Sequence, residues 1–302
     1  MNIKSKKSLI SIIINALLDR ISYFAFKLIE TPHSFEQLKT LAEQGDAEDQ
    51  NDLGCIYYHG EGTTENYNEA FKWFKKAAEQ GLDKAQYNLG LSYYNGKGTD
   101  KNYQKALKWY KKAAEQGYAL AQYNLGVMYS NGEGTTQNYQ KEFEWTKKAA
   151  EQGHAKAQYN LGVMYYHGAG TTQNYQKAFE WFKKAAGKGY AKAQYDLGVM
   201  YSNGEGTTQN YQKAFEWTKK AAEQGYALAQ YNLGLMYAKG EGTNQNFQKA
   251  YTHFLICDYL EYKQDTVKES INELEQKLSP QAITNAQDEA DKMIQGFKKT
   301  DD

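Results

Sequence analysis

Histidine and cysteine are the side chains best suited to metal binding or nucleophilic catalysis, and their spacing here supports neither. His33, His59, His154, His167 and His253 form no His-x-x-x-His pair, and Cys55 and Cys257 form no Cys-x-x-Cys pair, so no metal site is expected. His59 and His167 occupy one recurring slot that Asn95, Asn131 and Asn203 fill elsewhere, which reads as a helix end. Cys55 and Cys257 stand where the recurring pattern otherwise has Leu or Val, and Ala, and read as small core hydrophobes. No phosphate loop, nucleophile elbow or dinucleotide fingerprint occurs. Asp and Glu are scattered over solvated faces, so nothing predicts a paired-carboxylate cleft. An enzyme would need an acid, base or nucleophile converging on one non-repeated spot. The sequence offers none, so the expectation is a non-enzyme without a cofactor.

Tyrosine and lysine remain as carriers of recognition chemistry. Tyr87, Tyr123, Tyr159, Tyr195 and Tyr231 recur in register, with Lys84, Leu120, Lys156, Lys192 and Leu228 beside them. Tyr94, Ser130, Tyr166, Ser202 and Ala238 follow one helical turn along. A tyrosine ladder offers stiff amphipathic area with hydroxyls for hydrogen bonds. The interspersed lysines favour a partner carrying acidic groups. The plainer reading is that the rings stack only on neighbouring copies.

The overall charge argues against a nucleic-acid partner. In 302 residues, 36 Lys and Arg balance 36 Asp and Glu, and Arg20 is the one arginine. A neutral chain has no general attraction for polyanions, and a lone arginine argues against forked phosphate recognition. Lys111 and Lys112 belong to a recurring basic ridge, but Glu144, Glu180 and Glu216 stand four residues before Lys148, Lys184 and Lys220. That spacing predicts i,i+4 pairing on a solvated face.

The elements that must position these residues repeat. Leu-Gly recurs at 53–54, 89–90, 125–126, 161–162, 197–198 and 233–234, a step of 36 residues without insertion. Trp73, Trp109, Trp145, Trp181 and Trp217 keep the same step, and His253 takes the sixth slot. In one copy, 119–131 reads as a first helix stopped by Gly132 and Gly134. Asn138 then caps a second helix that Gly153 ends. On the second helix Tyr103, Ala106, Leu107, Trp109, Tyr110, Ala113 and Ala114 share a wide apolar arc. On the first, Ala121, Leu125, Met128 and Tyr129 make the core face, while Leu120, Tyr123, Val127 and Ser130 lie opposite. The Gln at 50, 86, 122, 158, 194 and 230 reads as structural, bonding between copies. A hairpin of this length cannot bury its face alone, so the copies must stack.

The residues Ala121, Leu125, Gly126, Tyr129, Gly132 and Gly134, followed in the next copy by Ala178, Trp181, Lys184, Ala185, Ala186 and Gly189, resemble the Sel-1-like repeat (SLR) family. The resemblance covers about residues 46–261. The fold expected is all-α: a right-handed α/α superhelical solenoid of six 36-residue helix-turn-helix repeats with helical caps. The resemblance implies that the first helices line the concave side and that the protein is a scaffold or adaptor. The Tyr and Lys positions above fall on the family's concave slots. The Cys pair per repeat of secreted SLR proteins is absent, so their disulfide stapling does not carry over. Departures are local: Glu142 replaces a small Ala, and Gly187-Lys188 replaces Glu-Gln.

Outside the array, residues 1–30 contain an amphipathic pattern, Ile10, Ile14, Leu17, Ile21, Phe24 and Leu28, after Lys4, Lys6 and Lys7. It reads as a cap on the first repeat, with an export signal or an interfacial anchor as alternatives. Residues 31–45 read as a starter half-repeat and 262–302 as capping helices. The expected protein is a monomeric, cytoplasmic scaffold that binds a peptide or protein segment. The alternative is an exported or membrane-associated bacterial factor, with membrane contact only through 1–30.

Overall fold

The computed structural model describes residues 35–298. The amphipathic segment 1–30 and the first four residues of the half-repeat lie outside the described residues. Fifteen helices and no strand occur among those described. A starter helix α1 (Phe35–Gln44) precedes six helix pairs: α2 (Ala47–His59) with α3 (Tyr67–Glu79), α4 (Asp83–Asn95) with α5 (Tyr103–Glu115), α6 (Ala119–Asn131) with α7 (Tyr139–Glu151), α8 (Ala155–His167) with α9 (Tyr175–Gly187), α10 (Ala191–Asn203) with α11 (Tyr211–Ala222), and α12 (Ala227–Lys239) with α13 (Phe247–Tyr259). Two closing helices follow, α14 (Gln264–Glu275) and α15 (Pro280–Lys298). Stacked consecutive pairs make an α/α solenoid. The chain forms two compact units that divide within α5, between Trp109 and Tyr110. No helix among the described residues is long and apolar enough to cross a membrane.

Helix ends follow the local chemistry. Asn66, Asn102, Asn138, Asn174, Asn210 and Asn246 each accept, through Oδ1, the backbone N–H three residues on, at 2.8–3.1 Å. That satisfies one orphan donor at the start of every second helix. The first helices close on Gly60, Gly96, Gly132, Gly168, Gly204 and Gly240 at φ between 70° and 74°, a conformation that penalises any Cβ. The Leu-Gly glycines serve a different need. A Cβ at Gly162 would stand 2.6 Å from the Phe182 ring, and one at Gly198 would stand 2.6 Å from Thr218 Oγ1. Glycine there lets the second helix lie directly against the first.

The core sits between the paired helices. In the second unit Ala157, Leu161, Ala185, Ala193 and Leu197 are fully buried, and burying each leucine contributes roughly 1.5–3 kcal/mol. Trp73 is buried, but three of the tryptophans are less buried than the wheel suggests. Trp145, Trp181 and Trp217 stay half-exposed, and the position after each holds the buried side chain: Thr146, Phe182 and Thr218. Lys148, Lys184 and Lys220 lie over the three indoles at 3.9–4.1 Å instead of pairing with the preceding glutamates. The i,i+4 ion pairs run the other way, as in Lys147–Glu151 at 3.8 Å and Lys219–Glu223 at 4.0 Å. A cation over an indole keeps its water and still gains the quadrupole attraction, so it competes well with an exposed ion pair.

The recurring glutamines tie the copies together. Gln50, Gln86, Gln122, Gln158, Gln194 and Gln230 all donate Nε2 to the carbonyl eight residues earlier, at 2.7–3.4 Å. Gln80, Gln152 and Gln224 then donate to Oε1 of Gln50, Gln122 and Gln194 at 2.7–2.8 Å. His253 completes the last rung, with Nδ1 2.7 Å from Gln230 Oε1. One rung is broken. Lys188 stands in the donor slot and bonds only Gly153 O, at 2.6 Å, so Gln158 Oε1 is buried without a partner.

At the carboxyl end Val267, Leu274 and Ala286 join one buried cluster with Ala250, Tyr251, Phe254 and Cys257. Ile256, Ala290 and Ile294 form a second cluster. The exposed face of the last pair is thereby covered by α14 and α15.

Candidate functional site

The tyrosine ladder is carried by the first helices, on the side away from Leu and Ala of the core. In the first unit Tyr87 and Tyr94 are half-buried, and the Tyr94 ring lies 5.2 Å from Tyr103. Lys84 is exposed but pairs with Glu48 at 3.6 Å. Asp52 lies near Lys84, and burial raises its carboxyl to about 6 against that lysine's opposing charge. Cys55 accepts a 3.7 Å contact from Asn88, and burial pushes its thiol up to about 12. Cys257, in the second unit, is likewise held as a thiol at about 12 by burial. Neither sulfur is an available thiolate.

The second unit holds most of the ladder. Tyr123, Tyr159, Tyr195 and Tyr231 are half-buried; the first three pack against the residue that opens the next first helix, and Tyr231 packs against Tyr262 just before α14. The ring separations are 4.8 Å for Tyr123–His154, 5.1 Å for Tyr159–Tyr190, 5.6 Å for Tyr195–Tyr226 and 6.1 Å for Tyr231–Tyr262. Their hydroxyls are also engaged. Tyr123 bonds Asn160, Tyr159 bonds Asp196, and Tyr195 accepts from Asn232 Nδ2 at 2.8 Å. Burial is the first cause raising Tyr159 and Tyr195, the latter to about 12, so the rings stay neutral phenols. Lys156 and Lys192 are exposed beside them, and Leu120 is 39% exposed.

One spot in the second unit departs from its neighbours. Asp196 takes a slot that is Asn at 88, 124, 160 and 232 and Asp at 52. It lines a cavity of about 310 Å³ with Tyr159, Val163, Tyr166, His167, Phe182, Val199 and Met200. Burial raises its carboxyl to about 6, while the Tyr159 hydroxyl, His167 and Lys192 oppose the shift. Tyr166 donates its hydroxyl to Glu205 Oε2 at 2.9 Å, and its own ionisation is pushed up to about 12 by burial and that carboxylate. No such convergence is expected from the sequence, where neither Asp196 nor Glu205 stands out. The only signal was a single Asn-to-Asp change between two otherwise near-identical copies. The cluster supplies two carboxylates, two neutral phenols and an apolar wall, which suits holding a group in place. Among the described residues no group of His, Cys, Asp and Glu is arranged to hold a metal ion.

The match to known proteins follows the repeat. The Sel1 repeat model matches residues 47–82, 83–118, 119–154, 155–190, 191–226 and 227–256. The crystal structure of c5321, a protective antigen present in uropathogenic Escherichia coli strains and displaying an SLR fold, is 36% identical with a TM-score of 0.79. The alignment covers 89% of this chain and 58% of that antigen. A Sel1 repeat protein from Oxalobacter formigenes is 33% identical with a TM-score of 0.66, over 78% of this chain and 95% of that one. No curated protein matches the chain. Sel1-repeat proteins are in general interaction scaffolds built on a non-catalytic fold. With six consecutive repeats matched end to end, this chain belongs to the Sel1-repeat family.

Proposed function

We propose that this protein is a scaffold that holds an extended segment of a partner protein along the tyrosine face of its first helices. The observation that carries the reading is the fixing of Tyr123, Tyr159 and Tyr195. Each ring is braced by the next repeat and each hydroxyl has a set partner, yet each remains half-exposed. Aromatic side chains already immobilised in the free protein lose little entropy on binding. Lys156, Lys192 and Leu120 add charge and apolar area at the rim. Lys84, being paired with Glu48, contributes less free charge.

The test is cross-linked capture by the full chain, read by mass spectrometry. A partner at near-stoichiometric yield with links to Lys156 or Lys192 is expected. The triple variant Tyr123→Ala, Tyr159→Ala, Tyr195→Ala should lose it, as should Lys156→Glu with Lys192→Glu, which alters exposed positions only. Retained capture by both variants refutes the assignment of this face.

A second reading, a factor presented to a host, draws on the 36% identity to a protein described as a protective antigen. Digestion of intact producing cells with an added protease tests it: loss of the protein supports surface presentation, and survival until lysis refutes it.

A further inference from the structure

Three times among the described residues a tyrosine near the end of a first helix meets the tyrosine that opens the following second helix. The geometry is constant. Ring separations and interplanar angles are 5.1 Å and 66° for Tyr58–Tyr67, 5.2 Å and 64° for Tyr94–Tyr103, and 5.0 Å and 63° for Tyr166–Tyr175. Two of these pairs hold an ammonium from their own chain. Lys97 Nζ lies 4.7 Å from the Tyr58 ring and 4.2 Å from the Tyr67 ring, and donates to Tyr67 Oη at 2.9 Å. Lys101 Nζ lies 4.7 Å from the Tyr103 ring. Both geometries are attractive cation–π contacts.

The third pair holds no ammonium from the described residues. Glu205 stands at the position of Lys97, three periods on, a slot that is also Glu at 133, and Gln173 stands at the position of Lys101 and donates to the Tyr175 hydroxyl at 3.1 Å. Among the described residues no lysine lies over Tyr166 or Tyr175. Glu205 receives neutral donors only, the Tyr166 hydroxyl at 2.9 Å and the Asn203 amide at 3.4 Å. Tyr166 also lines the 310 Å³ cavity whose wall carries Asp196. Two aromatic faces here adjoin two carboxylates that form no ion pair among the described residues, although the charges of His167 and Lys192 act on Asp196.

We propose that the cavity between α8, α9 and α10 receives a lysine or arginine side chain of the partner, held at the Tyr166–Tyr175 pair between Glu205 and Asp196. The proposal rests on the scaffold reading and deepens it, since it names one residue type the bound segment must carry. The apolar wall of Val163, Phe182, Val199 and Met200 takes the methylene stem, and the charged head is taken by Asp196 on the cavity wall and by Glu205, which the Tyr166 hydroxyl ties to that wall. The segment is then of mixed charge, with acidic groups toward Lys156 and Lys192 and a basic anchor in the cavity.

The experiment titrates the full-length chain with N-acetyl-lysine amide, followed by amide-resolved NMR. N-acetyl-norleucine amide, which keeps the stem and lacks the ammonium, is the control. Saturable shifts are expected at residues 163–167 and 203–206, with millimolar affinity for lysine and at least roughly fivefold weaker response to norleucine. Glu205→Gln and Asp196→Asn should each weaken the lysine response by roughly fivefold or more. Asp196→Asn is safe for folding because Asn fills that slot in other copies. Equal shifts from norleucine, an unchanged response in both variants, or a flat titration to about 50 mM overturns the cavity assignment. A flat titration beside capture that still needs Tyr123, Tyr159 and Tyr195 refutes the cationic anchor alone. Capture that survives the triple variant refutes the groove itself.

Discussion

Lys188 is predicted to destabilise the array, and changing it to the glutamine found in the equivalent slots should repair the damage. In an intact rung, Gln152 Nε2 donates to Gly117 O at 2.8 Å and to Gln122 Oε1 at 2.8 Å. Lys188 keeps the first of these bonds, to Gly153 O, and forfeits the second. The forfeited acceptor is Gln158 Oε1, on a side chain that is 5% exposed. An unsatisfied buried acceptor costs about 1–3 kcal/mol. Lys188→Gln should therefore stabilise the protein by that order, and the reciprocal change Gln152→Lys should cost about as much.

Because a repeat array need not unfold in one step, two readouts are needed. Urea unfolding followed by circular dichroism should show a midpoint raised by roughly 0.5 M for Lys188→Gln. Hydrogen exchange should show the added protection concentrated in α8 and α9. Lys188→Ala supplies the control, since it removes the bond to Gly153 without restoring the rung, and should be destabilising by about 0.5–1.5 kcal/mol. If Lys188→Gln leaves both readouts unchanged while Gln152→Lys is equally silent, the glutamine ladder does not hold the repeats together.

Two further outcomes follow from the packing. Gly162→Ala puts a Cβ 2.6 Å from the Phe182 ring and should cost about 1–3 kcal/mol by urea unfolding; a cost below about 0.5 kcal/mol would show that the two helices part easily. His253, buried and stacked 5.6 Å from Tyr237, is lowered to about 4 from 6.5 by burial first and by Lys249 and Lys219 next. Its unfolded form binds the proton that the folded form refuses, so stability falls as pH drops from about 6.5 to 4. His253→Gln, which can keep a donor to Gln230, should flatten that loss, and an unchanged acid profile would rule His253 out as its source.

Much of the fold was legible because six copies report the same constraint. Asn138 as a cap, Gly132 as a stop and Leu125 on the core face are each seen again one period on, which separates requirement from accident. The tyrosine register was legible for the same reason. What each tyrosine touches was not, because Tyr159 finds Asp196 and Tyr190 across the stack, and no single helical wheel contains that neighbour. The tryptophans misled the wheel because an indole with a lysine over it can sit at the edge of an apolar arc. The roles of single residues were illegible for the opposite reason. Asp196, Glu205 and Lys188 gain their meaning from single partners roughly one repeat away, at Tyr159, Tyr166 and Gln158. Periodicity averages such partners out.

Two departures from the repeat in the second unit separate structure from recognition. Asp196 has its carboxyl raised from 3.8 to about 6, chiefly by burial, so the folded chain binds its proton more tightly than the unfolded chain does. Its ionised form therefore opposes folding, with a penalty that grows as pH rises from about 4 through 6 and is complete above that. Asp196→Asn should stabilise the protein at pH 7 and make no difference near pH 4. Lys188→Gln should stabilise it as well, with no such pH dependence, because the lost hydrogen bond does not titrate there. The variants then part company on ligand. A residue that costs stability and serves binding must lose binding when repaired, so Asp196→Asn should weaken the lysine-amide response while Lys188→Gln leaves it intact. If Asp196→Asn stabilises the chain at neutral pH and binds the lysine amide as tightly as before, the buried carboxylate is a burden without a recognition role, and the anchor must be sought in Glu205 alone.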